Sequence, residues 1–181
     1  MLRFLKGNTK PSINQFEKED LIPNSQHPFL HWRSALEMES FSSTKHSSLV
    51  RELEVHVASR GWRAWVNEAR IYGRTYYRST AHEVVVVLQG HAALRIGGPA
   101  GGKSIRAWRG DILAIPAGVA RRLIKGEERF TCVGFTPVDQ IPDRCERNPE
   151  DYQRALKNLL ELSLPQTDPL FKDDQLLQYW T

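Results

Sequence analysis

The sequence predicts an all-β-dominated domain, an antiparallel sandwich or barrel with one or two flanking helices. Three observations lead there. Between Trp62 and Phe135, eight short segments rich in β-branched or aromatic residues follow one another, separated by glycine or polar turns. No helical periodicity interrupts them, and close-spaced strands without crossover helices pack as antiparallel layers. Helical spacing occurs only outside this block, around Leu49 and around Tyr152.

In chain order, residues 1–20 are polar, mixed in charge and without period, which reads as a loose arm or an edge strand. From Ile22-Pro23 to Trp32, turn residues alternate with Phe29, Leu30 and Trp32, predicting a short extended piece laid against the barrel. Ser34 to Ser48 is serine-rich loop. Leu49, Val50, Leu53, His56 and Val57 then recur at helical spacing, with Ser48 placed to cap the start and Gly61 just past the end. His56 falls on the apolar side of that helix, as a packed structural histidine. Strands are expected over Trp62 to Tyr72, Thr75 to Arg78, Glu83 to Gln89, Ala92 to Gly97, Lys103 to Ala107, Asp111 to Ile115, Arg121 to Ile124 and Phe130 to Phe135. Gly97-Gly98-Pro99-Ala100-Gly101-Gly102 lacks the helix and the Lys-Ser/Thr ending of a phosphate loop, so it reads as a flexible hairpin. After Pro137 a connecting segment rich in Asp, Arg, Glu and Pro leads to Asn148-Pro149-Glu150-Asp151. That is a helix start, with proline in the first turn and acids at the positive end of the dipole. Tyr152, Leu156, Leu159 and Leu160 follow on one stripe. The Leu164 to Trp180 tail is expected to dock as extended chain, with Trp180 buried in the domain or in a partner. The whole reads as one domain over residues 1–181, with an arm at 1–20, a barrel core at 62–136 and a C-terminal helix and tail at 148–181.

Composition narrows the function classes. The 181 residues suffice for one full core, with 40% hydrophobic and 25% charged residues. Lys and Arg exceed Asp and Glu by 25 to 21, but the excess is scattered, which describes a solvated surface rather than a nucleic-acid face. Cys132 and Cys145 show no metal or disulfide spacing and suit a reducing compartment, so the expected location is the cytoplasm. The apolar hint at Met1-Leu2-Arg3-Phe4-Leu5 is too short for a signal peptide, and no membrane partner is expected.

Two glycine-punctuated clusters carry the functional signal. The first runs Tyr76, Arg78, Glu83, six residues and Gly90; the second runs Gly110, five residues, Pro116-Ala117-Gly118 and Arg121. On these the chain resembles the cupin superfamily, whose motifs are H-x-H-x3–4-E-x6-G and G-x5-P-x-G-x2-H-x3-N. Glu83, Gly90, Gly110, Pro116 and Gly118 keep the pattern, while Tyr76, Arg78 and Arg121 stand at the three histidine positions and Lys125 at the asparagine. The segments Ile22-Pro23-Asn24, His31-Trp32-Arg33, Ser79-Thr80-Ala81-His82-Glu83 and Leu164-Pro165-Gln166-Thr167-Asp168-Pro169 make it similar, more narrowly, to the YjlB-like single-domain cupins. The resemblance implies a double-stranded β-helix jelly roll of RmlC type, and it implies a homodimer, since cupins commonly pair by their sheets.

The resemblance places Tyr76, Arg78, Glu83 and Arg121 where related proteins hold Fe, Mn, Zn or Ni. Arginine stays protonated and has no lone pair for a cation, so no metal or other cofactor is expected at these positions. The fallback is a rebuilt site on His82 and Glu83, which needs a strand bulge to turn His82 inward. Two arginines against one glutamate leave one positive charge over in a partly dry pocket. Two readings stay open: Glu83 forks between Arg78 and Arg121 as an internal salt bridge, or the guanidiniums receive a small anionic ligand against Trp62, Trp65 or Tyr76. The competing function class is an enzyme, either a metal-dependent oxygenase or isomerase with an atypical site, or a metal-free sugar-type isomerase or epimerase. Covalent catalysis finds no support, because Cys132 lies mid-strand in an apolar stretch and no Ser-His-acid set can be argued from spacing.

Overall fold

The valine run of Glu83–Gln89 sets the layering, because alternate residues of one strand face two different apolar bodies. The computed structural model of the chain describes residues 5–6, 9–38, 46–65 and 71–181. In it the strands are β1 (Ser12–Phe16), β2 (Ser25–Trp32), β3 (Trp62–Trp65), β4 (Tyr76–Tyr77), β5 (Glu83–Gln89), β6 (His91–Ile96), β7 (Lys103–Trp108), β8 (Ile112–Ile115), β9 (Arg121–Gly126), β10 (Thr131–Pro137) and β11 (Cys145–Glu146). They form two antiparallel sheets, ordered β1-β2-β8-β5-β10-β3 and β11-β4-β9-β6-β7. From β3 to β10 each successive strand changes sheet, except at the β6–β7 hairpin, which is the winding of a jelly-roll sandwich.

Val85 and Val87 point between the sheets, where they join Phe29, Tyr76, Leu94, Ile96 and Ile115. Val84, Val86 and Leu88 point the other way, into a layer closed by helix α1 (His46–Ala58), Trp62 and the C-terminal tail. A strand covered on both faces needs no polar alternation, which explains why β5 is continuously apolar. The β7 edge strand alternates instead, its Ile105 and Ala107 buried and their neighbours exposed.

Several expectations are corrected by these contacts. Ile22 to Trp32 is no appended piece: β2 sits between β1 and β8, with Leu30 opposite Ala114 and His31 opposite Leu113. Buried Phe29, Leu30 and Trp32 put it in the core. Helix α1 begins at His46, so Ser48 lies within the first turn instead of capping it, while Leu49, Leu53 and Val57 are buried as the spacing requires. Gly61 takes a left-handed φ of 75° after the helix, a conformation glycine adopts without strain. Of the strand expected over Trp62 to Tyr72, β3 covers the first four residues, and 66–70 lie outside the described residues. Residues 39–45, part of the expected serine-rich loop, also lie outside them.

The Gly97–Gly102 hairpin is tethered, since the Glu19 carboxylate accepts from the backbone N–H of Ala100 and Gly101 at 2.8 and 2.6 Å. The connecting segment contributes strand β11, paired with β4. Helix α2 (Pro149–Glu161) starts as predicted, with Asn148 Oδ1 accepting from Asp151 N at 2.9 Å. Its buried face is Tyr152 and Ala155, however, so Leu156 and Leu160 look outward.

The tail closes the outer layer through side chains at several points. Asp168, buried, accepts from the backbone N–H of Leu170, Phe171 and Leu176. A short 3-10 turn at Gln175–Gln178 interrupts the extended chain expected there. Trp180 is buried within its own chain, its indole N–H donating to Pro28 O at 2.8 Å, so no partner is needed to cover it.

Candidate functional site

Strand pairing brings the motif residues together from both sheets. Tyr76 of β4 and Arg121 of β9 are register partners, and Glu83 opens β5 in the facing sheet opposite Ile115. Arg121 Nη2 donates to Glu83 Oε2, and Arg78 Nε donates to the same oxygen at 3.2 Å. Arg78 Nη1 also donates to the Asp143 carbonyl at 2.7 Å. The Arg121 guanidinium lies 5.0 Å from the centre of the Tyr76 ring, a cation–π contact. Arg78 is 6% exposed and Arg121 3%, so the fork is nearly dry.

Burial alone would lower the Arg121 pKa, but the Glu83 carboxylate and Tyr76 outweigh it and hold it above the ordinary value. Burial raises the Tyr76 phenol, against the pull of Arg121, so the ring stays neutral. Cys132 on β10 has its thiol pushed up to about 12, by burial first and then by Glu83, which leaves it protonated and unreactive. Glu83 Oε2 is already occupied by two guanidinium donors. Among the described residues, no group of three or more His, Cys, Asp or Glu is placed to hold a metal ion.

His82, adjacent in sequence, belongs to a different environment. Its Nδ1 accepts from Ala117 N at 3.2 Å, and its ring lies 5.2 Å from that of Trp180 and 6.3 Å from that of His27. Strand alternation separates it from Glu83, and burial drives its pKa down to about 4. The expected aromatic wall also divides. Tyr76 is at the cluster, whereas Trp62 packs in the outer layer and donates its indole N–H to Thr167 O at 3.1 Å. Trp65 donates to Thr136 Oγ1 at 2.6 Å.

An opening of about 280 Å³ lies at the Tyr76 side, lined by Tyr72, Gly73, Arg74, Tyr76, Arg144 and Glu146. Tyr72 meets Tyr76 edge-on at 5.4 Å, and Arg144 sits 5.1 Å from the centre of the Tyr72 ring. Arg144 also approaches Glu146 at 3.6 Å. Apart from Tyr76, sequence patterns do not single out these lining residues. Arg144 and Glu146 stand in a stretch without periodicity, and only the pairing of β11 with β4 carries them to the barrel edge. Asp143 is the other unforeseen member, its carboxylate accepting from Ser79 N at 2.6 Å and Ser79 Oγ at 2.5 Å. Its pKa is lowered because those hydrogen bonds outweigh the burial that would raise it.

No family model matches the chain. It is 28% identical over 168 residues to the uncharacterized protein YjlB of Bacillus subtilis (strain 168), covering 91% of this chain and 93% of that one. Among solved structures it is similar to acireductone dioxygenase from Bacillus anthracis with cadmium ion in the active centre (TM-score 0.38, 15% identity, 64% of this chain and 82% of that one). It is also similar to vicilin from Solanum lycopersicum (TM-score 0.39, 12% identity, 88% and 42%) and to procruciferin from Brassica napus (TM-score 0.36, 15% identity, 49% and 28%). The chain spans less than half the length of the vicilin and procruciferin chains. Its two antiparallel sheets in jelly-roll order, with Glu83, Gly90, Gly110, Pro116 and Gly118 at their motif positions, are the β-sandwich that the resemblance to cupins implies.

Proposed function

We propose that the protein is a metal-independent, cupin-fold binding protein that takes a small anionic molecule at the Tyr76–Arg121 end of its barrel. The observation that carries this reading is the opening lined by Tyr72, Arg74, Tyr76 and Arg144, whose Tyr76 ring also bears Arg121. Two guanidiniums line it, on Arg74 and Arg144, against the single carboxylate of Glu146, with the buried Arg78–Glu83–Arg121 fork behind the Tyr76 ring. One positive charge is left over, and a carboxylate or phosphate would balance it with charge-assisted hydrogen bonds. Tyr72 and Tyr76 supply the flat apolar surface that fixes the body of such a ligand.

The donor set argues against a cation in the same place. Arg78 and Arg121 stand at two of the three histidine positions of the motif, and guanidiniums repel cations and cannot ligate them. Glu83, already accepting from both, retains one carboxylate where a transition metal needs three or four ligands.

A panel of carboxylates and sugar phosphates, screened by thermal shift and followed by calorimetry, tests the reading. A true ligand at one hundred times its Kd stabilises by about 2.7 kcal/mol, roughly 5–10 °C for a chain of this size. Arg74→Ala and Arg144→Ala should abolish that shift while leaving the fold intact, since Arg144 and Arg74 are exposed. No stabilising anion, or equal affinity in both variants, would refute it.

A further inference from the structure

A second concavity, of about 520 Å³, lies on the outside of the barrel between β1, the start of β2 and helix α2. That volume falls within the range of small-molecule sites. One wall is leucine. Helix α2 turns Tyr152 and Ala155 onto the protein, which leaves Leu156 and Leu160, one turn apart, facing out together with Leu159; Leu160 is 88% exposed. An isolated exposed leucine is ordinary, but here the row borders a groove with a polar floor.

His82 is part of that lining and is itself only 4% exposed. Its Nδ1 accepts from Ala117 N, so the neutral ring carries its proton on Nε2. The described residues provide no hydrogen-bond acceptor for that N–H. Trp180 and His27 hold the ring in place from neighbouring positions. Burial keeps the imidazole neutral at physiological pH. Lys18, 5.7 Å from the centre of the Tyr152 ring, is the cation of the lining and stands beside Glu17. Nε2 opens to the groove, where a ligand oxygen accepting from it would take the place of solvent.

We propose that this groove binds a straight-chain aliphatic monocarboxylic acid, one carboxyl oxygen accepting from His82 Nε2–H and the chain lying along Leu156, Leu159 and Leu160. This site is separate from the arginine-lined opening, and it selects differently. There the ligand is chosen by charge; here the apolar length of the ligand sets the affinity.

The test is a titration of the isotope-labelled full chain with hexanoate, octanoate and decanoate at pH 7, below their micelle concentrations, following the His82 ring signals by NMR. The expected result is a saturable shift at His82, with affinity rising roughly fourfold per added methylene until the groove is filled. Leu160→Asp removes an exposed side chain, so the fold survives, and it should weaken decanoate at least tenfold. His82→Asn keeps an acceptor for Ala117 N but loses the groove donor and should weaken binding. His82→Gln restores a donor and should recover most of the affinity. Arg144→Ala should change nothing, which separates this site from the other. The proposal fails if decanoate leaves the His82 signals unmoved, if affinity is independent of chain length, or if Leu160→Asp binds as the parent does. It fails too if sedimentation shows Leu160→Asp breaking a dimer, since the leucine row would then be covered by a second copy.

Discussion

Replacing Glu83 by Gln keeps the shape of the side chain and removes the one charge that Arg78 and Arg121 share. Both guanidiniums donate to the same carboxylate oxygen, and neither is more than 6% exposed. The cluster would pass from one surplus positive charge to two, in surroundings where water cannot solvate them. Breaking a buried ion pair from one side costs about 3–5 kcal/mol, against a total stability of about 5–15 kcal/mol for a typical domain. With a urea slope of about 2 kcal/mol/M, the unfolding midpoint of Glu83→Gln should fall by roughly 1.5–2.5 M. Urea denaturation followed by circular dichroism measures this directly. Double-mutant cycles refine it: coupling of Glu83 to Arg121 should exceed coupling to Arg78, because Arg78 retains the Asp143 carbonyl as a second acceptor. A triple variant with Met, Leu and Met at positions 78, 83 and 121 should be near the parent in stability, since apolar replacement of a whole buried network is often neutral or better. A loss below about 0.5 kcal/mol for Glu83→Gln would mean that water reaches the guanidiniums, and the dry fork would be refuted.

Three further outcomes follow from the packing. Gly118 has φ of 91°, and a Cβ there would stand 2.1 Å from Asn24 O, so Gly118→Ala should cost about 2 kcal/mol or more in urea melts. Gly73→Ala, with nothing within 4 Å, is the control and should be neutral or slightly stabilising. Trp180→Ala empties a buried site and should cost about 3 kcal/mol or more by calorimetry; an unchanged melting temperature would contradict the docked tail. The pH profile should show two opposed groups. His82, lowered to about 4 by burial, contributes stability that is complete above its unfolded value near 6.5 and is lost as pH falls through 4. Asp168, which burial raises to about 6 against three backbone N–H donors, contributes in the other direction, fully below 3.8 and lost as pH rises through 6. Each is worth about 3 kcal/mol, so the parent should be nearly flat between pH 4 and 6, whereas His82→Gln should become more stable as pH falls. A steep parent profile in either direction would show that one of the two environments is misjudged.

The architecture is legible in the sequence because strand signals are local. The valine run, the glycines of both motifs and the Asn148-Pro149 helix start each act through a few neighbouring residues, and the observed elements fall where they point. The four motif residues also converge as the resemblance to cupins implies, with Tyr76 paired to Arg121 and Glu83 reached by both arginines. What local pattern misses is whatever needs a partner distant in sequence. Trp62 suits a pocket wall by its chemistry, but residues more than one hundred positions away claim its indole. The spacing of α2 points to a stripe of Tyr152, Leu156, Leu159 and Leu160, and the fold buries Ala155 beside Tyr152 instead.

By itself, then, the sequence determined the antiparallel layers, and its resemblance to cupins named the residues, with their surplus positive charge, that meet at the end of the barrel. Periodicity and side-chain chemistry are properties of short segments and survive without knowledge of the fold. Only the tertiary structure decided that Glu83 is shared by both arginines, that Arg144 arrives through a two-residue strand to line an opening, and that His82 turns outward to floor a leucine-walled groove. Those outcomes depend on which surfaces compete for the same buried volume, and no local pattern encodes that competition.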